Sequence, residues 1–456
     1  MNAIGLVILL AVLTTVFVAE RRWALLGVLA GAMFLTQGQA VNVFGFNLYA
    51  VRIVEVMAFI RVLIRGEATF ISSLNGIDRS LLLLYGYSTT VSLLRSASGA
   101  SYHIGLATDA FLCYFTFRGL MRSPADLVWF LRAFLLLLTP FAMCVLFESI
   151  TQHNLFSSMG GLTTPTEFSL GVVAPEEMMR HGRLRCQGSF RHPILMGTLG
   201  ASFFPLYVAL GLPKGHRIAA TVGIGLCAVI VWASNSGGPA GCALIGVFGW
   251  GLWHWRTRMR LVRRGLTIMI LALTVVMKAP VWYLFARASK ITGGGGWHRS
   301  FLIDTAFHHL SEWWFAGMPM KDTVDWFPYF LALTGAADLT NAFISFGLTA
   351  GLVAIGLLIV VLVCSYRQLG LALARLRAAH QGPSAEEYML WGLGVMLAAH
   401  IVNWFGITYF DQIYVIWFMQ LATISAVSGR LRHGASAEST QDVSEVAAVQ
   451  EFADAS

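Results

Sequence analysis

Residues 342–364 read AFISFGLTAGLVAIGLLIVVLVC and contain no charged side chain. A helix needs roughly 20 consecutive apolar residues to cross a hydrocarbon core about 30 Å thick, and this run is long enough. The backbone finds no water to bind inside that core, so the run is predicted to be helical. Similar runs recur from Ile4 to Ser428. They predict an all-α polytopic integral membrane protein.

The composition favours the same class. Of the 456 residues, 57% are hydrophobic and only 12% are charged, whereas soluble domains carry about a quarter charged residues. The apolar runs predict about thirteen transmembrane helices, within a range of twelve to fourteen, at residues 3–19, 23–38, 50–64, 80–94, 101–120, 127–147, 192–212, 216–233, 239–255, 265–283, 342–364, 388–406 and 410–428.

The distribution of basic residues predicts the orientation. Short loops rich in Lys and Arg stay in the cytoplasm, and most basic residues share one side when the loop at Arg21–Arg22 is placed there. The first run has no basic residue before it, so it is interpreted as a retained helix rather than a signal peptide. We expect a bacterial inner-membrane protein with a periplasmic amino terminus, a cytoplasmic carboxyl terminus and a periplasmic active face.

These spans divide the chain into six predicted regions. Five are membrane or periplasmic regions, and the acidic, Ala- and Ser-rich end is typical of a disordered tail. The regions are a six-helix membrane region (1–147), a periplasmic Arg/His-rich loop (148–191), a four-helix membrane region (192–283), a long periplasmic loop with short amphipathic helices (284–341), a three-helix membrane region (342–432) and a cytoplasmic tail (433–456).

The first periplasmic loop concentrates positive charge just before a membrane helix. Residues 179–193 read MRHGRLRCQGSFRHP and include four arginines and two histidines. Arginine is always protonated, and its planar fork of donors suits phosphate oxygens. Contact with lipid headgroups is the alternative, but four arginines on the side that normally avoids them favour an anion-binding site.

The second periplasmic loop carries a second basic group. Arg287 and Lys290 precede four glycines at 293–296, which either permit close backbone approach or form a hinge. Trp297-His298-Arg299 follows directly. The loop therefore brings a second set of cationic residues to the same side of the membrane.

An amphipathic helix on the membrane surface is predicted after Arg299, over residues 302–314. Asp304 and His308 are i,i+4 neighbours on it, a spacing that lets a carboxylate orient an imidazole. An ordinary surface hydrogen bond is the alternative. Trp313 and Trp314 are expected to anchor the membrane interface.

Several function classes are excluded by missing motifs. The sequence contains no metal-ligand spacing, Walker loop or dinucleotide fingerprint, so we predict no metal and no cofactor. The net charge of +8 is explained by its position beside membrane spans, so no nucleic-acid partner is expected. Arg52 and Glu55 share a helix face within a span, and intramembrane charges are usually paired.

The order of these motifs resembles the O-antigen ligase and Wzy-type polymerase superfamily of bacterial envelope glycosyltransferases. The resemblance starts at the pattern Arg185-x-x-Gly188-x-Phe190-x-x-Pro193 and covers roughly residues 140–425. It includes a short Ser/Gly turn at 234–238, the element Trp297-His298-Arg299 and a helix that ends near Gly317.

The resemblance implies roles for individual residues. Arg185 and Arg299 take the places of the family's two essential arginines, which engage the pyrophosphate of an undecaprenyl-linked glycan. The family's acceptor-activating histidine precedes an asparagine, and here Thr340 precedes Asn341. The catalytic base must therefore be another residue, and the predicted sites are, for catalysis, His308 with Asp304, then His298, then Asp338, and, for pyrophosphate binding, Arg185, Arg299, Arg191, Arg183 and Arg287.

The implied activity is transfer of a glycan from an undecaprenyl-pyrophosphate-linked oligosaccharide to a sugar hydroxyl, without metal or ATP. The protein would be a polymerase acting on lipid-linked repeats of an exopolysaccharide or O-antigen, or a ligase acting on the lipid A–core of lipopolysaccharide. Polysaccharide assembly or export proteins are expected partners. A transporter or flippase for an anionic lipid or metabolite remains an alternative, because Arg52, Glu55 and Arg132 lie within predicted spans. A non-catalytic assembly component is a further alternative.

Overall fold

The computed structural model describes residues 1–43, 46–71, 73–96, 100–162, 179–180, 182–287, 296–326 and 339–429. Within these ranges the chain is predominantly helical, with two short antiparallel hairpins. The predicted base candidate Asp338, together with Lys290 and the predicted tail 433–456, lies outside the described residues.

The helices follow the apolar runs in chain order. Hairpins β1–β2 (Ala40–Val43, Phe46–Tyr49) and β3–β4 (Met179–Arg180, Arg183–Leu184) interrupt them. The helices are α1 (Ala3–Val18), α2 (Arg21–Phe34), α3 (Ala50–Ile64), α4 (Gly76–Arg95), α5 (Ala100–Leu120), α6 (Pro124–Thr151), α7 (Pro193–Gly211), α8 (Arg217–Ala233), α9 (Gly237–Gly251), α10 (Met259–Val276), α11 (Gly296–His308), α12 (Leu310–Trp313), α13 (Ala342–Ala379), α14 (Ala385–Trp404) and α15 (Ile413–Gly429).

The lengths of these helices are compatible with a membrane-embedded all-α protein. Three of the described helices are long and apolar enough to cross a membrane, namely α6, α7 and α13. A fourth is added if the bent pair Gly237–Val276 and Val281–Arg287 counts as one span. The helices α1, α8 and α15 are apolar but shorter. The number of thirteen spans stays a prediction.

Helix α9 connects two ends of the helical bundle. It begins after Ser236, whose hydroxyl accepts a hydrogen bond from Arg185. A 3-10 turn then leads to Arg256, whose carbonyl accepts a hydrogen bond from Arg377. We call these the Arg185 end and the Arg377 end. In the structure the two groups lie at opposite ends of α9. The charge count assigns Arg185 to one side of the membrane and Arg256 and Arg377 to the other, and this assignment stays a prediction.

Two predicted spans have different shapes in the structure. The run 265–283 is not one helix, because α10 ends at Val276 and the segment after it bends by 99°. The run that begins at Ala342 continues to Ala379 and contains a break at Ala350 and Gly351, where Gly351 has a φ of +77°. Glycine adopts this conformation without the steric cost that a side chain would add.

The break in α13 is filled by the chain that follows α12. The Leu352 amide donates to the Trp314 carbonyl at 2.7 Å. Arg95, at the end of α4, donates to the carbonyls of Ala316 at 2.7 Å and Thr349 at 3.0 Å. These contacts satisfy backbone groups that the break leaves outside the helix, so the segment after α12 is fixed to α13 and α4.

The helix predicted after Arg299 is present, but it packs on the protein. Leu302, Ile303 and Ala306 are buried against Leu348 of α13 and neighbouring apolar side chains. Trp313 is also buried, and its indole donates to the Ala306 carbonyl at 2.9 Å. The expectation that Trp313 anchors the membrane interface is therefore wrong, whereas Trp314 is 52% exposed.

The predicted ion pair between Arg52 and Glu55 is also wrong. Both oxygens of Asp109 on α5 accept hydrogen bonds from the Arg52 guanidinium at 2.6 Å. Arginine prefers such a two-point contact because its donors are coplanar. Asp109 lies 57 residues from Arg52, so helix-face spacing alone did not reveal the pair.

Candidate functional site

The motif that begins at Arg185 forms a buried loop at the end of α6. Cys186, Ser189 and Phe190 are almost completely buried. The Glu148 carboxylate accepts hydrogen bonds from the backbone amides of Gln187 at 3.1 Å and Gly188 at 2.9 Å. The loop is therefore held by a carboxyl group on α6, and the position of Arg185 is fixed with it.

Gly188 is required for this path of the loop. Its φ is +56°, in the left-handed region that favours glycine. A Cβ at this position would also lie 3.0 Å from the Phe141 ring. The glycine of the Arg-x-x-Gly pattern therefore has a conformational cause in this chain.

Replacing Glu148 by Ala is expected to lower the free energy of unfolding by a few kcal/mol. The change leaves two buried backbone amides without their acceptor, and each such loss costs about 1–3 kcal/mol. Glu148→Gln keeps one acceptor oxygen and should cost less. Thermal unfolding of the purified variants measures both effects. An Ala variant as stable as the wild-type protein would show that Glu148 does not hold the loop.

The turn between α8 and α9 holds the arginine-rich hairpin. Asn235 donates from its side-chain amide to the carbonyls of Arg180 at 2.7 Å and Arg183 at 3.1 Å. Arg185 donates to the Ser236 hydroxyl at 3.1 Å and is only 8% exposed. This turn enters the sequence prediction only as part of the resemblance, with no role assigned to it. The signal for its role was its placement on the same side as the arginines.

Arg299 reaches the same region from the second loop. Its guanidinium carbon lies 3.0 Å from the position that a Cβ would take at Gly406, directly after α14. The Gly406 amide donates to the Asn403 carbonyl at 2.7 Å. The side-chain oxygen of Asn403 in turn lies 3.0 Å from the Cβ position of Gly238, two residues after Ser236. A chain of close contacts thus joins the surroundings of Arg185 to those of Arg299.

His192 lies within electrostatic range of both arginines. It caps the amino terminus of α7, and its Nδ1 accepts a hydrogen bond from the Ile194 amide at 3.1 Å. Burial, followed by the positive charges of Arg185, Arg299 and Arg180, lowers the pKa of His192 to about 3. Three arginines from two loops therefore act on one neutral imidazole, and they form a concentrated positive field at the start of α7.

The pKa of His192 predicts a pH-dependent stability. The unfolded residue has a pKa of 6.5 and the folded residue one of about 3, so the unfolded state binds the additional proton between these values. Stability must then fall as the pH decreases through this window. His192→Asn keeps the helix cap and should flatten that part of the curve, measured by thermal unfolding at about pH 7 and about pH 4. Parallel curves for both proteins would contradict the assignment.

The other predicted pyrophosphate ligands are Arg183, Arg191 and Arg287. Two of them are held by other groups, and the third is exposed. The Arg183 guanidinium lies 4.6 Å over the Trp232 ring and donates to the Asn235 side chain at 3.4 Å. Arg191 forms an ion pair with Asp411 at 3.5 Å. Arg287 is exposed at the end of a described segment. Arg185 and Arg299 thus remain the principal candidates.

The predicted base candidates occupy different positions on α11. His298 adjoins Arg299 in the first turn and is partly buried. The His308 side chain is 75% exposed, and its Nδ1 lies 2.8 Å from the Asp304 carbonyl oxygen and 3.8 Å from the Asp304 carboxylate. His298 is therefore the candidate nearer to the arginine convergence, and Asp338 lies outside the described residues.

Thr340 and Asn341 start α13, where the resemblance implies a histidine and an asparagine. The Asn341 side chain accepts a hydrogen bond from the Ile344 amide at 3.1 Å and caps the helix. The Leu339 carbonyl accepts a hydrogen bond from the Thr408 hydroxyl at 2.7 Å. Asn341 thus has a structural role here, and its neighbour Thr340 has no imidazole to accept a proton.

The chemistry open to this site is that of fixed cations. Burial raises the pKa of Cys186 to about 12, so its thiol is no nucleophile at neutral pH. Across the described ranges, no three His, Cys, Asp or Glu side chains are grouped as metal ligands would be. Guanidinium groups held in place by protein contacts stabilise a developing negative charge without reorganising.

The comparisons with known proteins leave the family undecided. No protein-family model matches the chain, and no curated protein is significantly similar to it. The candidate site is therefore defined by its own geometry, and the resemblance to the O-antigen ligase superfamily stays a prediction from the motifs.

Proposed function

We propose that the protein is a membrane glycosyltransferase that moves a glycan from an undecaprenyl-pyrophosphate-linked donor to a sugar hydroxyl at the periplasmic face. The observation that carries the proposal is the convergence of Arg185, Arg299 and Arg180 on the neutral His192. A diphosphate offers several oxygens to such a cluster, and guanidinium groups bind them in pairs.

The proposed step is carried out by side chains of the described residues and needs no metal or nucleotide. The acceptor oxygen attacks the anomeric carbon, the bond from that carbon to the diphosphate oxygen breaks, and its electron pair stays on the leaving diphosphate. Arg185 and Arg299 stabilise that charge as it develops. The hydroxyl proton passes to a base, and His298 is our preferred base because it adjoins Arg299 and is less exposed than His308. His192 holds its proton too weakly for this role.

The helical bundle supplies the rest of the site. The polyprenyl tail of the donor would lie along the apolar outer surface of the helices. The apolar pocket lined by α4, α13, α14 and α15, including Tyr85, Phe346 and Trp417, has a volume of only about 20 Å³ and is too small to hold the tail. It adjoins Thr408 and Tyr409, which follow Gly406 and its contact with Arg299. The proposed topology has about thirteen spans, with the Arg185 end in the periplasm, as the distribution of basic residues predicts.

The test is glycan transfer by the purified full-length protein. The protein would be incubated with lipid-linked repeat units, with and without a chelator, and the products separated by length. Elongated chains that form equally with the chelator support a polymerase. Transfer only to added lipid A–core supports a ligase. Transport of the lipid in proteoliposomes without any new glycosidic bond would favour a flippase, and neither activity would favour a non-catalytic assembly component.

A further inference from the structure

A group of neighbouring arginines at the Arg377 end has no acidic partner among the described residues. The segment 252–276 contains five arginines and no Asp or Glu. Arg256 is paired with Glu387 at 3.5 Å. Within the described parts of the chain, no ion pair involves the other four, Arg258, Arg260, Arg263 and Arg264, and all four are exposed.

Other arginines at this end show what a structural arginine does here. Five of them have their guanidinium near a carboxylate in the protein. The pairs are Arg21 and Arg22 with Asp126, Arg61 with Glu67, Arg118 with Asp78 and Arg377 with Glu387. The exposed arginines of α10 thus do not serve the packing of the bundle, and their charges face outward.

Three of these arginines share one face of α10. Arg260, Arg263 and Arg264 line an open cleft together with Thr267 and Ile268. The spacing i, i+3, i+4, i+7 and i+8 places all five side chains on one side of a helix. Three guanidinium groups are therefore followed along the helix by a hydroxyl and then by apolar surface, in the order of a phospholipid headgroup and its acyl chains.

Helix α10 has little protein around it. None of its residues is buried, and its main contacts in the described chain are with the 3-10 turns before and after it. Its apolar side chains are widely exposed, for example Ile268 at 66%, Leu271 at 61% and Val275 at 86%. A soluble anion would neutralise the arginines but leave this apolar surface in water. A lipid covers both.

We propose that Arg260, Arg263 and Arg264 bind the phosphate headgroup of an anionic phospholipid, whose acyl chains lie along Ile268 and Leu271. Guanidinium groups fit phosphate oxygens in two-point contacts. The site is at the opposite end of α9 from Arg185 and does not depend on glycan transfer. It depends only on the membrane embedding that the composition predicts.

Native mass spectrometry of the purified, delipidated full-length protein would test the site, with phosphatidylglycerol as probe and phosphatidylcholine as the uncharged comparison. The triple variant Arg260→Gln, Arg263→Gln, Arg264→Gln should bind phosphatidylglycerol at least tenfold more weakly, because one basic residue near an anionic headgroup contributes about fivefold. Binding of phosphatidylcholine should not change. The corresponding triple Lys variant keeps the charge and should lose less.

A matched control removes the same charge elsewhere at this end. Arg79, Arg217 and Arg367 are exposed and lie on three different helices. Their triple Gln variant should bind phosphatidylglycerol like the wild-type protein. Equal loss in both triple variants would show unspecific attraction and overturn the proposal. Equal binding by the wild-type protein and the α10 variant would overturn it as well.

Competition identifies the source of the anion. Inorganic phosphate at millimolar concentration should not displace phosphatidylglycerol, because it cannot cover the apolar surface of α10. Displacement by inorganic phosphate would point to a free-phosphate site, and displacement by a polyglutamate peptide would point to an acidic protein partner. Either result would overturn the lipid assignment.

Discussion

Replacing Arg185 or Arg299 by Ala is expected to lower glycan transfer by at least about a hundredfold. Each variant removes one fixed donor from the charge that develops on the diphosphate, and the loss of a single such donor typically costs about 10²–10³ in rate. Arg185 is buried and bound to Ser236, and Arg299 packs on Gly406. Both are thus held in place before substrate binds. The rate of chain elongation by purified protein measures the effect.

Three control variants sharpen this prediction. Arg79→Ala removes an exposed arginine from the opposite end of the bundle and should leave the rate unchanged. Arg185→Lys and Arg299→Lys keep the charge but lose the planar fork, so an intermediate loss is expected.

A double variant tests whether the two arginines act together. If Arg185 and Arg299 hold the same diphosphate, the double Ala variant should lose less than the product of the two single losses, because groups that act as a unit are not additive. Strict additivity would argue for separate sites. Wild-type polymer from either single Ala variant, at normal protein level, would refute the assignment of that arginine.

Replacing His298 by Ala is expected to lower the rate by about 10²–10⁴, the usual contribution of a positioned general base. His298 adjoins Arg299 and is partly buried, whereas His308 is held at an exposed position beside the Asp304 carbonyl. His308→Ala should therefore change the rate by no more than about twofold, since an exposed group contributes little to a site that it does not touch.

The pH profile separates a base from a structural residue. A histidine base makes the rate rise with pH as its imidazole loses a proton. The residual activity of His298→Ala should lose that rise, and thermal unfolding should stay close to that of the wild-type protein. A large loss in His308→Ala with a normal His298→Ala would assign the base to His308. Normal rates in both would exclude the two histidines and leave Asp338 as the remaining candidate.

The sequence by itself determined the class of protein and the local elements. Long uncharged runs such as 342–364 predict helices because the cost of burying polar groups in hydrocarbon depends only on local composition. The helix that begins near Arg299 was predicted from another local feature, because its apolar side chains recur at helical spacing. The alternation of the predicted spans also predicts that the two arginine-rich loops lie on one side of the membrane.

The tertiary structure decided which residues meet. Arg185 and Ser236 are 51 residues apart, and Arg52 pairs with Asp109 across 57 residues rather than with its helix neighbour Glu55. His192 was part of a quoted motif, but its neutral state depends on burial, on Arg185 and Arg180 of the same loop and on Arg299 of the other loop. Helix packing brings such groups together, and packing depends on the whole set of side chains at an interface. Local sequence patterns carry no information about that set.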